Sequence, residues 1–195
     1  MNFRTTALLV AALNLLWFGV EVAVALSVRS VALLADSADF LEDASVNLLV
    51  AVAAGWPAPA RARVGMGLAA LLLVPVLAFL WTLGRQLADP QVPEPAALST
   101  VGAGALAINL ACAVLLARFR ATGGSLGRAA FLSARNDALA NLAIIAAGFV
   151  TLARPSIWPD LMVGLSIAVL NLDSAREVLA AARAEAGRPP RPCAK

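Results

Sequence analysis

The 195-residue sequence has no histidine, no tyrosine and two cysteines, and only 14% of its residues are charged. Without histidine it lacks the side chain most used for proton transfer near neutral pH and for binding zinc. Cys112 lies in an apolar run and Cys193 near the end. Neither has the CxxC spacing of a metal or redox motif, so both are read as unpaired thiols. The shortage of charge excludes most: a soluble domain carries about 25% charged residues, and this sequence has too few to coat a globule in water. The formal net charge of +3 is too small to suggest a nucleic-acid partner, which would need a concentrated basic patch.

In their place, 61% of the residues are apolar, against about 45–50% in a soluble domain. A membrane-crossing helix needs about 20 mostly apolar residues. Runs over 7–28, 31–55, 64–86, 98–117, 129–153 and 161–179 each suffice. The expected fold is an all-α membrane protein, a six-transmembrane-helix bundle over residues 1–180 followed by a short Pro- and Arg-rich tail over 181–195. Breakers separate the runs: Trp56-Pro57-Ala58-Pro59, the Pro90/Pro93/Pro95 stretch, Thr122-Gly123-Gly124, and Arg154-Pro155 with Trp158-Pro159. Pro75 falls inside the third run and is read as a kink, which a bilayer helix tolerates. The first run is longer than the 7–15-residue core of a secretory signal.

Basic residues orient the bundle. Arg4, Arg61, Arg63, Arg118, Arg120, Arg128, Arg176, Arg183, Arg188, Arg191 and Lys195 fall on one side; Arg29, Arg85 and Arg154 fall on the other. The positive-inside rule then puts both termini in the cytoplasm of a multi-pass protein of the plasma or inner membrane.

Ionisable groups at mid-bilayer cost about 2.5–3.5 kcal/mol each on insertion scales and mark sites or pathways. The second run holds four of them. At 100° per residue, Asp36, Asp39, Asp43 and Asn47 fall within roughly 80° of one another, a polar stripe on an apolar helix, while Glu42 lies off it. Asp39 and Asp43 are one turn apart, and two carboxylates so close repel unless a cation or a proton lies between them. In the fifth run Ser133, Asn136, Asp137 and Asn141 share a broad face, and Arg135 points away. Together the two runs offer three carboxylates plus amide and hydroxyl oxygens, the makings of an all-oxygen cation site. Asp39, Asp43 and Asp137 are the candidate metal ligands. Ser133, Asn136, Asn141, Asn47 and Asp36 are candidates for a fourth ligand or for supporting positions.

Other polar residues have plainer readings. Asn14, Asn109 and Asn171 are read as interhelical glue, Asp160 as the cap of the sixth helix, and Cys112 as a small core residue. Glu21 fits either a lumen lining or a pairing with an arginine near the outer surface. Asp-Ala-x-x-Asn-Leu occurs at 43–48 and again at 137–142, in spans that cross in opposite directions, as an inverted repeat would place it.

The stretch from Ala32 to Asp43, with Asp39 and Asp43 four apart, resembles the second-helix signature of the cation diffusion facilitator family. The stretch from Ser133 to Asn141 resembles the fifth-helix signature, with Asp137 on its acid and Ser133 where the family usually has histidine. The resemblance covers the six-helix region and implies a secondary transporter, not an enzyme. Such a transporter exports a divalent metal cation from the cytoplasm in exchange for protons. It has no cofactor, since the metal is its substrate, and it often works as a homodimer. Two departures are expected: no cytosolic metal-binding domain follows the sixth helix, and no His-rich loop joins the fourth to the fifth. With serine at the histidine position, manganese- or magnesium-like ions are expected to be handled at least as well as zinc. The alternatives are an intramembrane phosphotransferase of the CDP-alcohol type, whose Asp-Gly-x-x-Ala-Arg motif is absent, and a non-transporting scaffold.

Overall fold

The computed structural model describes residues 2–53, 73–117 and 124–170; the side chains of Val50, Ala53, Leu73, Pro75 and of 124–135 lie outside the described set. The first helix, α1 (Phe3–Val28), starts where the Asn2 side chain accepts a hydrogen bond from the Thr5 amide at 2.8 Å, satisfying one donor that a helix start leaves bare. It stops at Arg29, which adopts a left-handed conformation with φ 55°. That reversal lets the Ser30 amide donate to the Ala25 carbonyl at 3.0 Å, and α2 (Val31–Ala53) begins at once. Then come α3 (Leu73–Ala88), α4 (Pro95–Ala117), α5 (Gly124–Ala153) and α6 (Trp158–Leu170). Pro95 stands at the first helical position, where its missing N–H costs nothing.

All six regular elements among the described residues are helices, and no strand occurs among them. Three are long and apolar enough to cross a bilayer (α1, α4 and the Asn136–Ala153 part of α5), and apolar stretches of α3 and α6 are shorter. The acids of the second run keep α2 out of that group, although its 23 residues span about 34 Å at 1.5 Å each, enough for a hydrocarbon core of about 30 Å. Large apolar side chains cover the outside: Leu16, Trp81, Val114 and Leu152 are all more than 65% exposed. Lipid is the solvent that this surface suits, and the chain is a helical membrane bundle.

Inside, α1 packs most extensively on α2 and α4 on α5, with α1–α4, α2–α3 and α2–α5 contacts closing the group. A core of Ala25, the 31–35 segment, Phe79, Leu98, Ile144 and Leu161 holds one end. Val10, Cys112, Ala113 and Leu116 form a second cluster between α1 and α4. Gly148 of α5 faces Ser99 and the Pro95 carbonyl of α4 so closely that a Cβ there would meet the Ser99 hydroxyl. Without hydrophobic drive between helices in lipid, such close backbone approach is what binds them.

The end of the bundle that carries the 28–31 turn is tied by polar groups. Buried Gln86 donates from Nε2 to the carbonyls of Arg29 and Gln91 at 2.9 and 2.8 Å and accepts from the Gln91 amide at 2.9 Å. Arg29 also pairs with exposed Asp89 at 3.1 Å, an interaction worth about 0–1 kcal/mol at such exposure.

Asp160 corrects one expectation. It does not cap α6, whose first turn is served by Ser156 Oγ accepting from the Trp158 amide at 3.3 Å. Asp160 instead reaches from α6 to the start of α2, accepting from Ser30 Oγ at 2.6 Å and from the Val31 and Ala32 amides at 2.7 and 3.2 Å. Ser30 Oγ in turn accepts from the Leu33 amide at 3.0 Å. A carboxylate there also meets the positive end of the α2 dipole. Gly164, one turn along α6, makes this approach feasible: a Cβ on it would come within 2.8 Å of the Ala32 nitrogen.

Candidate functional site

The polar stripe on α2 faces inward. Asp36 is fully buried and Asn47 nearly so, while Asp39 and Asp43 are half-buried. Asp43 lies twelve residues into α2, about 18 Å from its start and near mid-depth. Asp137 on α5 is also half-buried, Asn141 is buried and Asn136 is exposed.

The two helices bring these acids near one another. The Asp39 carboxyl stands in the field of Asp137, and also of Asp36, Glu42 and Asp43. The Cys112 thiol of α4 is in the field of both Asp43 and Asp137. Asp39, Asp43 and Asp137 therefore border one region where α2, α4 and α5 meet. Glu42, expected off the stripe, is half-buried and still within reach of Asp39. Among the described residues, no three acidic or thiol groups converge closely enough in this conformation to hold an ion. The Ser133 side chain lies outside the described residues.

Several supporting candidates already have partners. Asn47 Nδ2 donates to the Asp43 carbonyl at 2.8 Å, a bond within its own helix. Asn141 Nδ2 donates to Asp36 Oδ2 at 2.6 Å, and its own Oδ1 accepts from Asn109 Nδ2 at 3.0 Å. This line of three residues links α4, α5 and α2 through the buried interior. Asn109 is thus interhelical glue, as its sequence context suggests. So is Asn14, whose Nδ2 donates to the Val10 carbonyl at 2.9 Å and to Cys112 Sγ at 3.6 Å. Asn171 lies outside the described residues.

Glu21 resolves toward the interior. It is fully buried, neither oxygen receives a hydrogen bond from the described residues, and the group beside it is the Asp36 carboxyl. The 21–36 pairing and the place of Cys112 at the edge of the acidic region were not visible in the sequence. One signal could have found part of it: Asn14 and Glu21 are seven residues apart, two turns on one face of α1, so both should point where α1 meets its neighbours.

Chemically, this arrangement puts several hard oxygen donors at mid-membrane, with small and amide side chains around them. Such donors suit divalent cations that accept oxygen ligands, and a carboxylate site exchanges its metal for protons, because a ligand must be ionised to bind. The family model described as the cation efflux transmembrane domain matches residues 7–185, and so takes in every acid of the site. A comparison with curated proteins finds no match.

Proposed function

The chain belongs to the cation efflux family, and from that premise we propose that it exports a divalent metal cation from the cytoplasm in exchange for protons, using Asp39, Asp43 and Asp137 as ligands. The observation that carries this reading is that Asp39 on α2 lies in the field of Asp137 on α5, with Asp43 one turn further along α2. Three acids at mid-depth cost more than interhelical glue is worth, since a hydrogen bond between membrane helices contributes only about 0.6–2 kcal/mol. A divalent cation would draw the three carboxylates together and cancel most of their repulsion. Protons arriving from the other side would displace it, and rocking of the helices around the site would expose it to each side in turn. Asp36 and Asn141 are assigned to the bundle interior, because each already holds the other. The membrane is read as the plasma or inner membrane, and a second copy of the chain as a partner.

Export requires an orientation. With eleven basic residues on one side against three on the other, both ends of the chain face the cytoplasm. An alkaline-phosphatase fusion after Lys195 should be inactive and a fluorescent-protein fusion bright; the opposite pattern reverses the direction of transport.

The metal should be a hard one. The candidate ligands are oxygens, and the chain has no histidine, so manganese- or magnesium-like ions should compete at least as well as zinc. Ser133→His would add the imidazole that zinc favours. A competition series in inside-out vesicles should then move toward zinc, and an unchanged ranking would place residue 133 away from the ion. Cation uptake into vesicles bearing the wild-type protein and its Asp39, Asp43 and Asp137 variants tests the transport role: uptake by the parent and none by the variants is expected.

A further inference from the structure

Beside the acids assigned to the cation lies a second carboxyl pair that this assignment does not use. Glu21 of α1 and Asp36 of α2 are each 0% exposed, and their carboxyl groups face one another. Asp36 Oδ2 accepts from Asn141 Nδ2 at 2.6 Å, but Asp36 Oδ1 and both oxygens of Glu21 have no donor among the described residues. Asn141 is oriented by Asn109, which donates to its Oδ1 at 3.0 Å. Among the described residues, Asp39 is the other titratable group that acts on Glu21. The basic residues among the described side chains, Arg4, Arg29, Arg85 and Arg154, all lie at helix ends. Three buried acceptor oxygens with no donor and no cation cannot be left so at a bilayer's interior without a cost of several kcal/mol per group.

We propose that Glu21 and Asp36 form a proton-binding site of their own, in which a proton held on Glu21 is donated to Asp36 Oδ1. One hydrogen satisfies the arrangement. The Glu21 O–H donates, the Asp36 carboxylate accepts it at Oδ1 and accepts Asn141 at Oδ2, and the pair carries one negative charge in place of two. Asn141 decides which member holds the proton: its N–H already points at Asp36, which makes Asp36 the acceptor. An O–H donating to an ionised carboxylate is among the stronger hydrogen bonds, and its strength rises where water is excluded. The site is distinct from the proposed cation ligands and does not depend on what they bind. It shares their helices, however: Asp36 is three residues before Asp39 on α2, and Asn141 four after Asp137 on α5. A shift of α2 against α5 would therefore change the Asn141–Asp36 bond and the hold on the proton together.

Infrared spectroscopy of the full chain in lipid vesicles at neutral pH reads this directly, through the C=O stretch of a protonated carboxylic acid. The wild-type protein should show that band, uniform 13C labelling of glutamate should shift it, and labelling of aspartate should leave it in place. Glu21→Gln, whose amide still donates to Asp36, should fold and lose the band. Asp39→Asn, Asp43→Asn and Asp137→Asn should keep it, even if each abolishes transport, so this result stands or falls apart from the cation reading. Should Glu21→Gln not fold, Glu42→Gln decides: the glutamate-dependent band should persist in that variant. A wild-type protein without the band, a band that moves only with labelled aspartate, or one lost in Glu42→Gln overturns the proposal.

Discussion

Replacing any one of Asp39, Asp43 or Asp137 with asparagine should reduce cation transport to background while leaving the protein inserted and folded. Asparagine keeps the size and much of the hydrogen-bonding capacity of aspartate. It removes the negative charge proposed to hold the ion and the group proposed to take up a proton, so capture and exchange should fail together. Substitutions around a metal site, outside the ligands themselves, typically cost 10–100-fold; loss of a ligand carboxylate should exceed roughly 100-fold. Glue would behave in the opposite way, because an amide bridges helices as well as a carboxyl does. Glu94→Gln is the control. It removes an acid exposed in the α3–α4 connection, outside the bundle, and should transport as the parent does at equal expression.

The second large effect concerns the frame and not the cargo. Asp160→Ala should destabilise the protein by about 3–5 kcal/mol, because it removes the shared acceptor of three buried donors. The variant strands the Ser30 hydroxyl and the Val31 and Ala32 amides, all of which donate to Asp160, and buried donors without partners cost about 1–3 kcal/mol each. Asp160→Asn keeps one acceptor oxygen and should lose about half as much. Unfolding in detergent micelles, followed with denaturant, checks both. An Asp160→Ala variant within about 0.5 kcal/mol of the parent, the spread of ordinary surface substitutions, would mean that the junction between α6 and α2 contributes little. Because this junction sets where α2 begins, the same variant should also lower transport, through misplacement of Asp39 and Asp43.

The helices were legible because their cause is local. Apolar runs of about 20 residues bounded by Pro and Gly can do little else in a bilayer, and the starts of α1, α4, α5 and α6, at 3, 95, 124 and 158, lie three to five residues ahead of the expected 7, 98, 129 and 161. The stripe on α2 was legible for the same reason, since a helical period converts spacing into a face without knowledge of the neighbours. What the period could not give is the partner of each face. Asp160 sits at the start of its own helix in sequence, yet its carboxyl serves α2, about 130 residues earlier. Glu21 has two readings in sequence, and the packing of α1 along α2 decides between them by placing it beside another acid, Asp36. Cys112 looked like core packing and is indeed buried, but it also borders the acidic region because α4 crosses there. Each of these depends on which helices touch, and in a sequence so rich in Ala and Leu the apolar residues do little to specify that.

Cation and proton movement should be coupled at the proposed Asp39, Asp43 and Asp137 site, and one measurement addresses that coupling most directly. Purified protein is reconstituted into vesicles holding a pH-sensitive dye, and manganese or zinc is added outside with no initial pH gradient. Exchange predicts that the lumen becomes more alkaline as the cation enters and protons leave, and that Asp43→Asn and Asp137→Asn vesicles give no signal. Cation entry without any lumenal pH change, or an undiminished signal in those two variants, would contradict it.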